Sequence, residues 1–570
     1  MTDTSMTNTS MTNTAAHRYL RRLYRNGVDN LFVNSGTDFP PVIEAYAAAG
    51  GKEMPRILAI PHENVAVAMA CGYTLATGRP QGVMVHVNVG LANAICGLIN
   101  TARAQVPMVL AGGRTPWTER GRPGARTRYI HWAQEMSDQG GLVRQHTKWD
   151  YELRAADQID DLVDRAVTIA LSDPCGPVYL SLPRETLAET AQAAERPFPI
   201  QQPIKLGAPG AADIEIAARK LVEARRPLIV ANGCGQFEAE TQALSALAEA
   251  HAIPVTMSSP SFVAVPADHP AHAGFAPEKY LDDADAILVV NSDAPWIPAL
   301  HGPGDEAWIA HLGPDPLFEA YPVRSFPCHL PLKGAIAEGL VALKAAMDKI
   351  GSGPSVERRG RLEDLHAEKD AAAKAALEKG RSSGVAFSRV EASAVLGEAV
   401  GEDAIIVNEI GAQMPQLNRT KPCTYYQSSP AGGLGWGLGA ALGIKMARPD
   451  ELVVAAVGDG SYMFGNPTPA HYVAKAYDLP VLFVVFDNAG WEAVDRATRG
   501  MYPDGDAVKQ NVSVFSQFDD PPDYTMVAAA SGAHTATATT PQEAMTAIAK
   551  AVRVVREEKR QAMVRIICQG

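Results

Sequence analysis

Short apolar runs recur along the chain, each bounded by polar or turn-forming residues and followed by a stretch long enough for a helix. Runs that are apolar throughout are typical of parallel strands buried on both faces. Strands that alternate with helices predict βα units on parallel sheets, and therefore an α/β fold. The predicted strands are Asn30–Val33, Arg56–Ile60, Gly82–Val87, Met108–Ala111, Val178–Leu182, Pro227–Ala231, Pro254–Met257, Ala286–Val290, Trp308–Leu312, Ala404–Val407, Leu452–Val457, Val481–Phe486 and Ala562–Cys568.

Length and local composition divide the chain into three blocks, because 570 residues are enough for three domains of ordinary size. The tail MTDTSMTNTSMTNT is a near-repeat of small polar residues and is expected to be disordered. Two stretches are predicted to be linkers. One is rich in Pro, Gln and Ala, and the other is charged, rich in Ala and helical in pattern. The predicted division is tail 1–14, first domain 15–184, linker 185–213, middle domain 214–345, helical linker 346–383 and third domain 384–570.

Composition and charge indicate a well-packed globular enzyme. Hydrophobic residues make up 46% and charged residues 20% of the chain, and the net charge is −12, which argues against a nucleic-acid surface. No apolar run approaches the length of a membrane span, and the N-terminus lacks the basic and apolar regions of a secretory signal. The seven scattered cysteines predict buried reduced thiols. We therefore expect a cytoplasmic protein.

The strongest chemical signal lies around Gly458-Asp459-Gly460-Ser461, which follows an apolar strand. Asn488 and Gly490 follow the next predicted strand, Val481–Phe486. Asp459 and the Asn488 side-chain oxygen are hard ligands suited to Mg²⁺ or Ca²⁺, and the Gly490 carbonyl could supply a third. The glycines permit a sharp turn, and the helix that begins there would direct N–H groups of Gly460 and Ser461 towards an anion. A corner without a ligand is the alternative, and the spacing of Asn488 and Gly490 disfavours it.

This segment resembles the thiamine diphosphate signature, in which Gly-Asp-Gly precedes an Asn by roughly two dozen residues. Here 27 residues separate Gly460 from Asn488, and Asp487 stands where the family usually has a first Asn. The resemblance implies thiamine diphosphate and Mg²⁺ as cofactors. It also implies an early Glu that bonds N1′ of the aminopyrimidine ring and promotes ylid formation. Glu63 follows the run 56–60 and opens a predicted helix, as that Glu does; a Glu that only complements the helix dipole is the alternative.

A glycine-rich run, 431–437, completes the similarity. In the family a bulky aliphatic residue here holds the cofactor in its bent shape, and the carbonyl two residues earlier accepts from N4′; these positions are Leu434 and Gly432. A glycine-rich helix start packed on a sheet is the structural alternative. The middle block carries Gly233-x-Gly235, where acetolactate synthases bind FAD, but one GxG is a weak motif. FAD is therefore not favoured there, and we expect a structural middle domain.

The order of the domains, pyrimidine-binding, middle and diphosphate-binding, resembles the acetolactate synthase and benzoylformate decarboxylase superfamily over nearly the whole chain after the tail. The resemblance implies decarboxylation or carboligation of a 2-keto acid through ylid and enamine intermediates. It also implies a homodimer or homotetramer with active sites at the subunit interface, since Glu63 and the 458–490 segment belong to different domains.

The substrate pocket is less well defined by the sequence. His86, in a Val-His-x-x-x-Gly context, matches a pocket histidine of benzoylformate decarboxylase, so we expect a substrate-facing acid or base; a core histidine is an almost equal alternative. Thr37 falls where that decarboxylase has a Ser. The candidates beyond the metal loop are Trp491, Glu492 and Val494, the last at the position of a Glu in pyruvate decarboxylases; His301 could mimic a second pocket histidine. Glu492 is a replacement acid or, alternatively, a solvated residue at a helix start.

Two other functions remain open at this stage. One is a thiamine-dependent 2-hydroxyacyl-CoA lyase or oxalyl-CoA decarboxylase type enzyme, in which a C-terminal extension closes over CoA. The predicted last strand ends at Cys568, close to Gly570, which disfavours that alternative. The other is a non-catalytic homologue, which the presence of both Glu63 and Asp459 disfavours. The sequence does not identify the acyl donor or acceptor.

Overall fold

The computed structural model describes residues 13–195, 197, 201–351, 353–382, 384 and 387–569. The chain forms two compact units. One comprises the described residues up to Ile204 together with Ser429–Arg448, and the other comprises Lys205–Ser428 and the described residues from Pro449 onward. Most of the tail predicted over 1–14, and parts of both predicted linkers, lie outside the described residues. Within the described ranges no helix is both long and apolar enough to cross a membrane.

The regular elements are numbered in chain order. The strands are β1 (Asn30–Asn34), β2 (Arg56–Ala59), β3 (Gln81–Val85), β4 (Met108–Arg114), β5 (Asp150–Glu152), β6 (Pro177–Pro183), β7 (Pro227–Val230), β8 (Val255–Thr256), β9 (Ala286–Val290), β10 (Trp308–Gly313), β11 (Leu330–Lys333), β12 (Ile405–Glu409), β13 (Tyr425–Gln427), β14 (Val453–Gly458), β15 (Leu482–Asp487), β16 (His534–Ala538) and β17 (Ala562–Ile567). The helices are α1 (Ala15–Arg25), α2 (Pro40–Ala49), α3 (Glu63–Thr77), α4 (Val87–Arg103), α5 (Ile130–Ala133), α6 (Ile159–Leu171), α7 (Arg184–Ala188), α8 (Ala211–Glu223), α9 (Glu238–His251), α10 (Ile336–Ile350), α11 (Val356–Ser382), α12 (Arg389–Val400), α13 (Met414–Leu417), α14 (Trp436–Ala447), α15 (Asp459–Phe464), α16 (Pro467–Ala476), α17 (Glu492–Met501), α18 (Asp506–Gln510), α19 (Tyr524–Ala529) and α20 (Pro541–Glu557).

The first unit is built on a six-stranded parallel sheet of order β2-β1-β3-β4-β6-β5. Helices α1, α2, α6 and α7 pack among themselves, and α3, α4 and α14 form a second group. Thr14, which the sequence placed in the tail, is the N-cap of α1, and its side chain accepts a hydrogen bond from the His17 N–H. Helix α3 begins at an N-cap residue, His62, and ends at Gly78 in the left-handed conformation.

The second unit contains two parallel sheets, of order β11-β10-β9-β7-β8 and β13-β12-β14-β15-β17-β16. In the sheet that contains β7 and β9, neighbouring residues along a strand pack into different hydrophobic clusters. Ile229 and Leu288 lie in one cluster, and Leu228 and Ile287 lie in the other. Burial on both faces explains why these strands are apolar throughout. The three parallel sheets with their helices confirm the predicted α/β fold.

Helix α14 lies between β13 and β14 in chain order. It belongs to the first unit, where it packs on α3. The two helices cross at small residues. A Cβ at Gly72 would lie 2.2 Å from the Ala440 carbonyl oxygen, and one at Gly443 would lie 2.0 Å from the Met69 carbonyl oxygen. Glycine is therefore required for this close approach. The crossing joins the helix that begins at Glu63 to the helix that follows the 431–435 loop.

Candidate active site

Glu63 is the first residue of α3 and follows β2 by a short turn. Its side chain is buried, with 7% exposure, although it is a carboxylate. One oxygen, Oε2, accepts a hydrogen bond from the Asn93 amide on α4 at 3.2 Å. The other, Oε1, lies 3.1 Å from where a Cβ would stand at Gly90. A buried carboxylate at a helix start with one amide partner can bond a further group, and the predicted bond of Glu63 to a cofactor ring stays a prediction.

His86 is placed at the N-cap of α4, directly after β3 ends. Its Nδ1 lies 2.5 Å from Oδ1 of Asp38, which follows β1. Its Nε2 lies 3.3 Å from the Gln134 side-chain nitrogen. The sequence placed Asp38 in a segment bordering the pocket, but it identified neither Asp38 nor Gln134 as a partner of His86, because each is 48 residues from His86 and follows a different strand.

A second histidine, His131, lies beside the same loop and was also missed. Its Nε2 lies 3.4 Å from Oγ1 of Thr37, and its Nδ1 accepts from the Thr127 N–H at 3.2 Å. Burial lowers the pKa of His131, and the neighbouring Arg184 guanidinium lowers it further. Arg184 donates to the Thr37 carbonyl at 2.9 Å and so holds the loop that carries Thr37 and Asp38. A lone histidine in a short helical turn offers no sequence signal that it will contact Thr37.

Asn100 of α4 holds the loop that precedes α14 through two hydrogen bonds. Asn100 donates to the Gly433 carbonyl at 2.6 Å and accepts from the Gly433 N–H at 3.1 Å. Gly432 adopts a positive φ of 66° and is exposed, and Leu434 is half-buried. The two predicted cofactor contacts therefore lie on a loop fixed by the first unit.

Asp459 opens α15 at the end of β14 and is 2% exposed. Its oxygens accept from the Gly460 N–H at 2.7 Å and the Gly490 N–H at 3.0 Å. Among the described residues no basic side chain forms an ion pair with it. Burial raises the pKa of Asp459, and the neighbouring Asp487 raises it further. The carboxylate therefore lacks a positive partner, which a bound cation would supply.

Asp487, the departure from the family's Asn-Asn, is neutralised within the chain. It is the last residue of β15, and its Oδ2 accepts from Arg565 Nε at 2.6 Å and Nη2 at 2.5 Å. Both side chains are largely buried, and Arg565 lies on the adjacent strand β17. The ion pair leaves Asp459 as the carboxylate without a cationic partner at this loop.

Asn488 is oriented by Glu492, the first residue of α17. The Asn488 side-chain nitrogen donates to Glu492 Oε2 at 3.4 Å, and Arg389 Nη1 lies 3.4 Å from the same oxygen. The donor side of the amide is thus engaged, which leaves Oδ1 for a metal. Over the described part of the chain no cluster of three or more His, Cys, Asp and Glu forms a metal site, and the predicted ligand set contains one such residue.

Trp491 packs against the turn at Gly460. A Cβ at Gly460 would lie 2.6 Å from Trp491 Nε1, so a larger residue there would displace the indole. The Phe518 ring packs edge-to-face on the indole, with the ring centroids 5.0 Å apart. The Nε1 atom is buried, with no hydrogen-bond partner in the structure. Such a donor is costly unless a ligand uses it. Val494, one turn into α17, is exposed.

Side-chain contacts to α16 and to the start of β17 hold helix α15 in place. Ser461 is buried in its first turn. The Tyr462 hydroxyl contacts His471 Nε2 at 2.8 Å, and His471 Nδ1 contacts Gln561 Oε1 at 2.9 Å. Burial lowers the pKa of His471 to about 4. A neutral histidine therefore links α15 to α16 and to the start of β17.

In the middle domain, the N–H groups of Gly235 and Gln236, at the weak Gly233-x-Gly235 motif, are already bonded. Glu240 accepts from the Gly235 N–H at 2.8 Å and the Gln236 N–H at 3.0 Å. Burial raises the pKa of Glu240 to about 7. A Cβ at Gly233 would meet the Asn291 carbonyl oxygen at 2.3 Å, so the glycine serves packing. His301 is exposed in the loop between β9 and β10, and its substrate role stays a prediction.

Comparison with known families now identifies the class. The N-terminal TPP-binding domain of thiamine pyrophosphate enzymes matches residues 13–142, the central domain matches 214–343, and the C-terminal TPP-binding domain matches 408–566. The chain belongs to the thiamine pyrophosphate enzymes. The family matches include Glu63 in the first domain and Asp459 in the third.

Individual relatives are distant. Benzoylformate decarboxylase from Pseudomonas aeruginosa is 27% identical over 495 residues, covering 83% of this chain and 85% of the relative. The acetolactate synthase large subunit of Haemophilus influenzae is 25% identical over 492 residues, covering 83% and 82%. The fold matches a thiamine diphosphate-dependent 4-hydroxybenzoylformate decarboxylase from Rhodococcus jostii RHA1 with a TM-score of 0.78, 22% identity and coverage of 98% and 99%.

Proposed function

We propose that the protein is a Mg²⁺- and thiamine diphosphate-dependent decarboxylase or carboligase of a 2-keto acid. The observation that supports this assignment most is His86, a half-buried histidine fixed by Asp38 in the same unit as Glu63. Similarity to a benzoylformate decarboxylase and to an acetolactate synthase subunit supports the same substrate class.

The residues present fit the cofactors. Asp459, the Asn488 Oδ1 atom and the Gly490 carbonyl would hold Mg²⁺, which supplies the positive charge that the buried Asp459 lacks. Gly460 and Ser461 would bind the diphosphate, with the unpartnered Trp491 indole N–H as an adjacent donor. The bound coenzyme supplies a nucleophilic carbon and an electron sink for the carbon–carbon bond that breaks.

The chain's own groups orient the coenzyme and move protons. Glu63 would bond N1′ of the pyrimidine ring, since its Oε1 is not engaged by Asn93. Leu434 would support the cofactor in its bent shape, and the Gly432 carbonyl would accept a hydrogen bond from N4′. His86 would exchange a proton with the substrate, and Thr37, Trp491 and Val494 would border the substrate. Glu492 is assigned to the orientation of Asn488 through their contact, rather than to proton transfer.

We also propose a homodimer or a tetramer of dimers, in which active sites form at the subunit interface, and no flavin in the middle domain. Light scattering on the active enzyme tests the assembly, and a catalytically active monomer would contradict it. The Gly235 loop of the middle domain bonds its own Glu240, which supports a structural role there.

Product analysis tests the function. The protein is incubated with thiamine diphosphate, Mg²⁺ and benzoylformate, pyruvate or a 2-hydroxyacyl-CoA. We expect CO₂ with an aldehyde, or acetolactate, and no acyl-CoA cleavage. Glu63→Gln should lose this turnover with its melting temperature unchanged, whereas Glu53→Gln, an exposed carboxylate of the same unit, should retain it. Turnover of the 2-hydroxyacyl-CoA alone, with an acyl-CoA fragment as product, or turnover undiminished in Glu63→Gln, would contradict the proposal.

A further inference from the structure

We propose, on the basis of the function proposed above, that Asp38 is a positioning residue that fixes His86 as the Nδ1–H tautomer. The His86 Nε2 atom is then the one that exchanges a proton with the substrate, and Gln134 holds that atom until substrate takes its place.

The contacts of Asp38 define which nitrogen carries the proton. The carboxylate is 2% exposed and lies 2.5 Å from His86 Nδ1 through Oδ1. Its Oδ2 accepts from the Val87 backbone N–H at 3.3 Å. An ionised carboxylate accepts hydrogen bonds and cannot donate, so Nδ1 must donate to it, and in the neutral imidazole the lone pair is then on Nε2.

Two glycines leave the space that this pair occupies. A Cβ at Gly36 would lie 2.2 Å from His86 Nδ1, and one at Gly113 would lie 1.6 Å from Asp38 Oδ2. Any other residue at either position would displace the imidazole or the carboxylate. Both glycines lie at the carboxyl ends of β1 and β4, the two strands that flank β3 in the sheet, where ligands of open parallel sheets bind.

The backbone at His86 is also constrained. Val87, the next residue, has a φ of 35°, which is an outlier for a β-branched side chain. Its N–H is the group that bonds Asp38 Oδ2. Strain of this kind persists where surrounding contacts over-determine the conformation, and it clusters at functional sites. The same carboxylate therefore holds both the ring and the backbone of the turn that carries it.

The other ring nitrogen is held by an exchangeable partner. The Gln134 amide nitrogen lies 3.3 Å from His86 Nε2, and the Gln134 Oε1 atom is buried without a partner. The amide donates to the Nε2 lone pair in this state. When a substrate group replaces the amide, Nε2 can take up a proton and later return it, while Nδ1 keeps its own proton on Asp38. The imidazolium formed in between is stabilised by the adjacent carboxylate.

Nitrogen-15 NMR of histidine-labelled, substrate-free protein tests the tautomer directly, with the His86 signal assigned by its absence in His86→Gln. We expect a protonated Nδ1 and an unprotonated Nε2 in the wild type, and a mixture of tautomers in Asp38→Asn. A proton on Nε2 of His86 in the wild type would overturn the proposal. The wild-type spectrum needs no substrate and no folded Asp38 variant, so its result is independent of any failure of the proposed function.

Kinetics separate positioning from stability. In Asp38→Asn we expect kcat to fall about 10- to 100-fold with KM little changed, by analogy with the loss of hydrogen-bond partners of metal-ligating histidines. Exchange of the coenzyme C2 proton, which depends on Glu63, should stay at the wild-type rate, and Glu53→Gln should match the wild type in both measurements. A wild-type kcat in Asp38→Asn, or an equal loss of C2 exchange, would overturn the proposal. Absence of turnover of every 2-keto acid by the wild type would instead defeat the proposed function, and the tautomer would still decide the role of Asp38.

Discussion

Replacement of Gly443 by Ala should separate two helices on which the candidate site depends. The added Cβ would lie 2.0 Å from the Met69 carbonyl oxygen and 2.9 Å from the Tyr73 nitrogen, both backbone atoms that cannot rotate away. An ordinary contact begins near 3.4 Å, so α14 and α3 must move apart by about 1.4 Å. Overpacking of this kind costs about 1–3 kcal/mol, and rigid neighbours place the expectation near 3 kcal/mol.

For a folding unit of roughly 200 residues, that loss lowers the melting temperature by about 6–12 °C. Differential scanning calorimetry measures it, and coenzyme titration should show weaker binding because α3 begins at Glu63. Gly360→Ala is the control: Gly360 lies inside α11 with no atom within 4 Å of the added Cβ, so Ala should stabilise the helix by about 0.5–1 kcal/mol. A Gly443→Ala protein that melts at or above the wild-type temperature would refute the proposed tight crossing.

Three further predictions concern polar side chains of the third domain. Arg565→Met leaves Asp487 buried without its cation and should cost about 3–5 kcal/mol in a denaturant titration, whereas an unchanged midpoint would show that the pair is not buried in solution. Burial lowers the pKa of His471 to about 4, so between pH 6.5 and 4 the unfolded state binds more protons and the stability of the folded state falls as the pH drops. His471→Gln should remove up to about 3 kcal/mol of this acid sensitivity. A melting temperature that depends on pH as in the wild type would contradict this prediction. Glu492→Ala should weaken Mg²⁺ binding about tenfold by freeing the Asn488 amide, and calorimetry showing wild-type affinity would assign Glu492 elsewhere.

Most of the predicted strands were found because central parallel strands are buried on both faces and therefore apolar throughout; β2 and β8 are edge strands that were also found. The four strands that the sequence did not reveal are β5, β11, β13 and β16, and each lies at the edge of its sheet. An edge strand pairs on one side only and carries more polar residues, so its apolar signal is weak. The Thr14 cap was missed for a local reason, since it ends a run of similar small polar residues.

The candidate site divides in the same way between local and long-range features. Asp459, Asn488 and Glu63 occur in short motifs at strand ends, so the sequence could locate them. The contacts of Asp38 and Arg565 join residues 48 and 78 positions apart, and no local pattern reveals them. Only the packing of neighbouring strands brings these partners together.

The central claim is that this chain binds thiamine diphosphate through a magnesium ion held by Asp459. Isothermal titration of the coenzyme into the protein with Mg²⁺, and again with EDTA in its place, tests the claim most directly. We expect binding at one site per chain with Mg²⁺, loss of binding with EDTA, and loss in Asp459→Asn even with Mg²⁺. Equal binding with and without the metal, or no binding in either case, would contradict the account.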